Sequence, residues 1–157
     1  MFGAAEQGVR GKMTIAKLGK VVVEVDAEQT RRIYKNIKNG GSEECSCAYC
    51  RNYRALLPSP LPSEVMTFLV QCGIDPGKDA EVYEMGETDS GNYCYGGEYY
   101  FISPETPDID ADELPNGFQF SITLPSPLDP DEFHNVPGSR CFNFVYFGLP
   151  WVLHESP

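Results

Sequence analysis

Between Phe118 and Leu124 the chain reads Phe-Gln-Phe-Ser-Ile-Thr-Leu, with Phe118, Phe120, Ile122 and Leu124 apolar and Gln119, Ser121 and Thr123 polar. Successive side chains of a strand point to opposite faces, so a period of two commits this segment to a sheet with one face buried. Such a face needs a cover. The stretches with helical spacing lie in the N-terminal half, which places the cover there.

Other segments join the sheet. Ala80 to Met85 reads as a strand, Asp89-Ser90-Gly91-Asn92 as a turn, and Tyr93 to Ile102 as a second strand interrupted by Gly96-Gly97, a pair that signals a bulge or a close backbone approach. Cys141 to Phe147 is a further strand, and Leu149-Pro150-Trp151-Val152-Leu153 is placed to close the sheet. Near the N-terminus Met13, Ile15, Val21, Val23 and Val25 alternate around Leu18-Gly19, which predicts two short strands and a tight turn.

Three helices are expected. Asp26 followed by Gln29 has capping-box spacing and opens a helix over about 27–39, ended by Gly40 and Gly41, because glycine adopts positive φ without steric cost. A short helix over about 46–56 precedes the breaker Pro58-Ser59-Pro60. The third starts at Pro62-Ser63-Glu64-Val65, carries Val65, Phe68, Leu69 and Cys72 on one stripe, and stops at Gly73. The fold class is α+β: a single domain over 13–157, with an antiparallel sheet and two or three helices mainly in the N-terminal half, after a loose lead over 1–12. A chain of 157 residues buries a sufficient core without disulfides or metal.

The formal net charge is -11, and the segment from Asp75 to Glu132 carries fifteen acids against one base, Lys78. That balance disfavours nucleic acid, which needs a basic footprint, and points to a basic protein if there is a partner. No apolar run is long enough to span a membrane, and Met1 to Gly8 lacks the basic start and apolar run of a signal peptide. The expected location is cytoplasmic, where six cysteines serve as thiols, metal ligands or redox groups before structural disulfides.

Three of those cysteines fall within six residues, Cys45-Ser46-Cys47-Ala48-Tyr49-Cys50. Zinc takes four soft or borderline ligands, and Cys47-x-x-Cys50 is the spacing at which one turn presents two thiolates to one ion. Cys45 adds a third, and the fourth falls to Cys72, to Cys94 or to water. The same pair supports thiol exchange, with Cys47 as thiolate at a helix N-terminus, Cys50 resolving it, and Arg51 and Arg54 lending positive charge; Glu43 and Glu44 oppose this. Cysteine also packs readily in cores, so a purely structural role is the third reading.

No catalytic constellation emerges. Asp108-Ile109-Asp110-Ala111-Asp112 begins like a calcium loop, but Glu113 stands at the glycine position and Gln119 where a bidentate Glu is required, so it reads as an acidic solvated loop. His134 and His154 fall in a loop and in the tail. Tyr95 and Tyr99 on the sheet and Trp151 near the C-terminus are the candidate binding residues, against the alternative that sheet aromatics pack across strands.

The combination Cys45-x-Cys47-x-x-Cys50-Arg51-Asn52-Tyr53, Gly73-Ile74-Asp75-Pro76 leading to Ala80-Glu81-Val82-Tyr83, Tyr95-Gly96-Gly97-Glu98-Tyr99-Tyr100-Phe101 and Leu149-Pro150-Trp151-Val152-Leu153 resembles a family of uncharacterised bacterial cytoplasmic proteins. The likeness runs from about Glu44 to Leu153. Tyr99 stands where the family has Trp, and Ser103 where it has glycine. The resemblance implies a shared fold and brings no activity. The leading expectation is a non-enzymatic binding or protein-interaction domain, with a zinc-stabilised domain and a thiol oxidoreductase as alternatives.

Overall fold

In the computed structural model, which describes residues 12–125 and 131–157, Thr14–Leu18 (β1) and Val21–Val25 (β2) pair antiparallel from Thr14 opposite Val25. Gly19, at φ +60, makes the turn between them. The buried face of β1 is Ala16 and Leu18, one position out of phase with the expected stripe, and Ile15 is 50% exposed. The register pairs Ala16 with Val23 and Leu18 with Val21, so these side chains share the covered face and Ile15 takes the other.

Asp26 caps α1 (Ala27–Asn36), its carboxylate accepting from the Gln29 N–H at 3.0 Å. The helix stops at Asn36, earlier than expected, with Ile37 extended. Gly40 and Gly41 do not end it through positive φ; a Cβ on Gly40 would lie 2.8 Å from the Lys78 Cα, and one on Gly41 2.6 Å from the Ala80 carbonyl oxygen. These glycines permit a close approach between two backbones. A one-turn helix, α2 (Gly41–Glu44), follows, then α3 (Ala48–Ala55) and α4 (Ser63–Gln71). Gly73 ends α4 at φ +83, as expected of a glycine after a helix.

The second sheet has five strands, all antiparallel: β3 (Glu81–Glu87), β4 (Tyr93–Ile102), β5 (Ile109–Glu113), β6 (Gln119–Thr123) and β7 (Ser139–Leu149), in the order β3-β4-β7-β6-β5. The fold is α+β, with most of its helices in the N-terminal half. β5 corrects the reading of Asp108 to Asp112 as a solvated loop: it is an acidic edge strand pairing with β6. Short α5 (Asp131–His134) occupies the place where His134 was expected in a loop, ahead of β7. The segment after Leu149 leaves the sheet instead of closing it. The expected lead over 1–12 lies, Lys12 apart, outside the described residues.

Gly96 and Gly97 are sites of close approach. A Cβ on Gly96 would meet the Tyr83 ring at 2.4 Å, and one on Gly97 the Phe144 ring at 2.6 Å; the register shifts fall elsewhere, at Glu84/Gly86 and Tyr93/Tyr95. One sheet face gathers Phe101, Phe118, Phe120, Phe142 and Phe144, against which Phe68 of α4 packs. β3 pairs with β4 only as far as Glu98, so α1 serves the remainder of that edge. Its Tyr34 hydroxyl bonds both the Tyr100 carbonyl (2.7 Å) and the Tyr100 N–H (3.2 Å), and Thr30 Oγ1 accepts from the Ile102 N–H at 3.0 Å. Side chains thus satisfy backbone groups that a missing strand would have paired.

Candidate metal centre

The segment that carries the cysteines is tied down on both sides. Before it, Asp79, 2% exposed, accepts hydrogen bonds from the Ser42 N–H at 3.0 Å and the Ser42 hydroxyl at 2.6 Å, and the Gly41 N–H donates to the Asp79 carbonyl. After it, Asn52 is fully buried; its Nδ2 donates to the Pro150 carbonyl at 3.0 Å and its Oδ1 accepts from the Val152 N–H at 2.8 Å. The Tyr53 hydroxyl pairs with that of Tyr99 at 2.7 Å in the core. The chain leaves α2 extended at Cys45, reaches the α3 N-cap at Cys47, itself extended, and enters the first turn with Cys50.

This path brings three sulfurs together. The Sγ atoms of Cys45, Cys47 and Cys50 all lie within 4.8 Å of one another. Cys45 is half-buried, Cys47 exposed and Cys50 buried beneath them. A hydrogen bond from the Cys47 backbone, and then contacts with the Cys47 and Cys50 thiols, lower the Cys45 pKa. Burial, reinforced by the same neighbours, raises that of Cys50. The group thus combines a thiol disposed to ionise with one that resists carrying charge alone, which an ion placed between them would relieve.

The flanking arginines both engage carboxylates. Arg51 pairs with Glu155 at 2.5 Å and Arg54 with Glu43 at 3.9 Å, so the expected support for a thiolate is spent on carboxylates. Such exposed pairs add little stability. Cys72 and Cys94, the expected fourth ligands, stand outside the group. Cys72 is fully buried at the α4 C-cap, its thiol pushed up by burial, and Cys94 is buried on β4. Cys72 packs in the hydrophobic core as a small apolar side chain.

Tyr95 and Tyr99 offer no surface to a ligand. Both are fully buried; the Tyr95 hydroxyl donates to the Tyr49 carbonyl and the Tyr99 hydroxyl to the Pro76 carbonyl, and burial pushes Tyr95 up to about 12. Trp151 is half-buried, its Nε1 donating to the Glu155 carbonyl at 2.7 Å. Its ring sits 5.8 Å from Tyr49 and 5.2 Å from Tyr93, so it packs beside the cysteine helix. Asn52 and Asp79 as anchors had no local signal, since their partners Pro150, Val152 and Ser42 lie far off in the chain.

A cleft of about 320 Å³ lies between α1 and α5, lined by Tyr34, Lys38, Lys78, Asp79, Tyr100 and Phe133 among others. Two of its polar groups are already engaged inside the protein, Lys78 with the Tyr34 carbonyl and Asp79 with Ser42. The thiol group is the stronger candidate. The chain matches no protein-family model, and comparison with curated proteins and with solved structures finds no match either.

Proposed function

We propose that the protein binds a thiophilic metal ion, zinc among them, through Cys45, Cys47 and Cys50. The observation that carries this reading is the convergence of three sulfurs within 4.8 Å. Thiolates at a Zn–S distance of about 2.3 Å on a tetrahedron stand roughly 3.8 Å apart, a spacing this group reaches with small side-chain rotations. Water or an outside donor supplies the fourth position. The role is binding, with no nucleophile or acid–base pair assigned to it. A reducing, cytoplasmic compartment suits it, since all six cysteines are free thiols.

Thiol exchange by Cys47 and Cys50 uses two sulfurs and leaves Cys45 without a part, which favours coordination. Docking of a basic protein is the second reading. Its support is that both edge strands, β3 and β5, carry exposed acids, Glu81, Glu87, Asp110 and Glu113. The same charges also guard bare edges against strand addition. Binding to a basic partner that weakens steeply with salt would support docking; salt-independent binding would count against it. For the metal reading, zinc titration of the reduced protein against a chromophoric chelator should give one ion per chain, lost in the Cys45→Ser/Cys47→Ser/Cys50→Ser variant. Equal uptake by that variant would refute it.

None of the helices among the described residues is long and apolar enough to cross a membrane.

A further inference from the structure

The identity of the preferred ion follows from what the centre lacks, an inference that rests on the metal-binding reading. Among the described residues, no fourth Cys and no His, Asp or Glu joins Cys45, Cys47 and Cys50 at their mutual spacing. Zinc prefers four ligands, so here it would keep an open position. With three thiolates it would also leave a net charge of about -1 over the buried Cys50, in a protein of formal net charge -11. Both the ligand count and the charge make zinc the weaker of the possible occupants.

We propose that the centre takes a soft ion completed by three sulfurs, and assign it trivalent arsenic, held as a trigonal-pyramidal trithiolate. Arsenous acid, As(OH)3, condenses with the three thiols. Three As–S bonds form and three As–O bonds break, and each thiol proton leaves with a hydroxide as water. Arsenic stays trivalent, no sulfur is oxidised, and the product is neutral. A neutral adduct suits a site whose innermost ligand is buried, because burying net charge is the larger penalty. The arsenic lone pair occupies the side where zinc would need a fourth donor. Cys47, exposed, and Cys45, half-buried, open the route for entry.

The test is competition on the reduced 157-residue chain, read by native mass spectrometry and by counting thiols that remain reactive. Arsenite should bind once per chain, protect three thiols and displace bound zinc. Phenylarsine oxide, which needs only two thiols, provides the internal control. Cys45→Ser should weaken arsenite by roughly tenfold or more while phenylarsine oxide still binds through Cys47 and Cys50, with circular dichroism checking that the variant is folded. Zinc bound at one per chain and undisturbed by arsenite would overturn the arsenic assignment and leave the metal reading standing. Failure of zinc, arsenite and phenylarsine oxide alike would overturn both.

Discussion

The sulfur of Cys47 accepts a hydrogen bond from the backbone N–H of Cys50 at 3.4 Å, so one thiol is both the N-cap of α3 and a member of the three-sulfur group. These roles separate on substitution. Serine is among the best N-caps but a poor soft-metal ligand. Cys47→Ser should therefore keep the metal-free protein at its parent stability, or raise it by up to about 1 kcal/mol, while metal affinity falls. Urea unfolding beside a metal titration checks this; parallel loss of stability and affinity would contradict it.

Asn52 joins the cysteine helix to the chain after the sheet. Asn52→Ala leaves the Val152 N–H and the Pro150 carbonyl without their partner, at about 1–3 kcal/mol. Trp151, the only tryptophan, should become more exposed, and its fluorescence should shift to the red under native conditions. An unchanged spectrum would mean that the ring contacts with Tyr49 and Tyr93 hold the segment by themselves.

Gly97 and Gly91 separate steric from conformational demand. A Cβ on Gly97 would meet the Phe144 ring at 2.6 Å and the Glu81 carbonyl oxygen at 2.9 Å, whereas Gly91 has φ +86 and open space around it. Gly97→Ala should cost about 1–3 kcal/mol through overpacking, and Gly91→Ala less, about 1 kcal/mol. Thermal unfolding of the two variants decides the order.

Asp79 gives the fold a pH dependence of definite sign. Burial raises its carboxyl pKa, and the hydrogen bonds from Ser42 pull it back only in part. The unfolded value is about 3.9, so the folded state holds the proton more tightly. The stability this group contributes is fully present below that value and is lost as pH rises through the raised folded pKa. Asp79→Asn should remove this component, so that the urea midpoint of the variant falls less than that of the parent across that window. Identical slopes would show that Asp79 does not titrate differently in the two states.

What was legible in the sequence was local. The period of two in β6, the Asp26 cap and the glycines ending at Gly19 and Gly73 depend on neighbours a few residues away. The three cysteines lie within one turn and the residues leading into it, so their convergence was legible too. What was missed depends on distant partners. Gly40 and Gly41 are small because Lys78 to Ala80 pass against them, and Tyr95 and Tyr99 are buried because α3 and the Pro76 loop receive their hydroxyls. The alternation in β1 was visible but its phase was not, since it is set across the hairpin, where Ala16 pairs with Val23 and Leu18 with Val21. Cys72 had the right chemistry for a ligand, and its place on the apolar stripe of α4 took it into the core.

The proposal that Cys45, Cys47 and Cys50 together hold one ion can be weighed by mass. Native against denaturing mass spectrometry of the reduced chain, prepared without chelator and then exposed to zinc or arsenite, addresses it most directly. One bound ion per chain is expected under native conditions, zinc being lost on denaturation, and none in the variant with all three cysteines replaced by serine. A native spectrum that stays at the mass of the free protein, with all six thiols reduced, would contradict it.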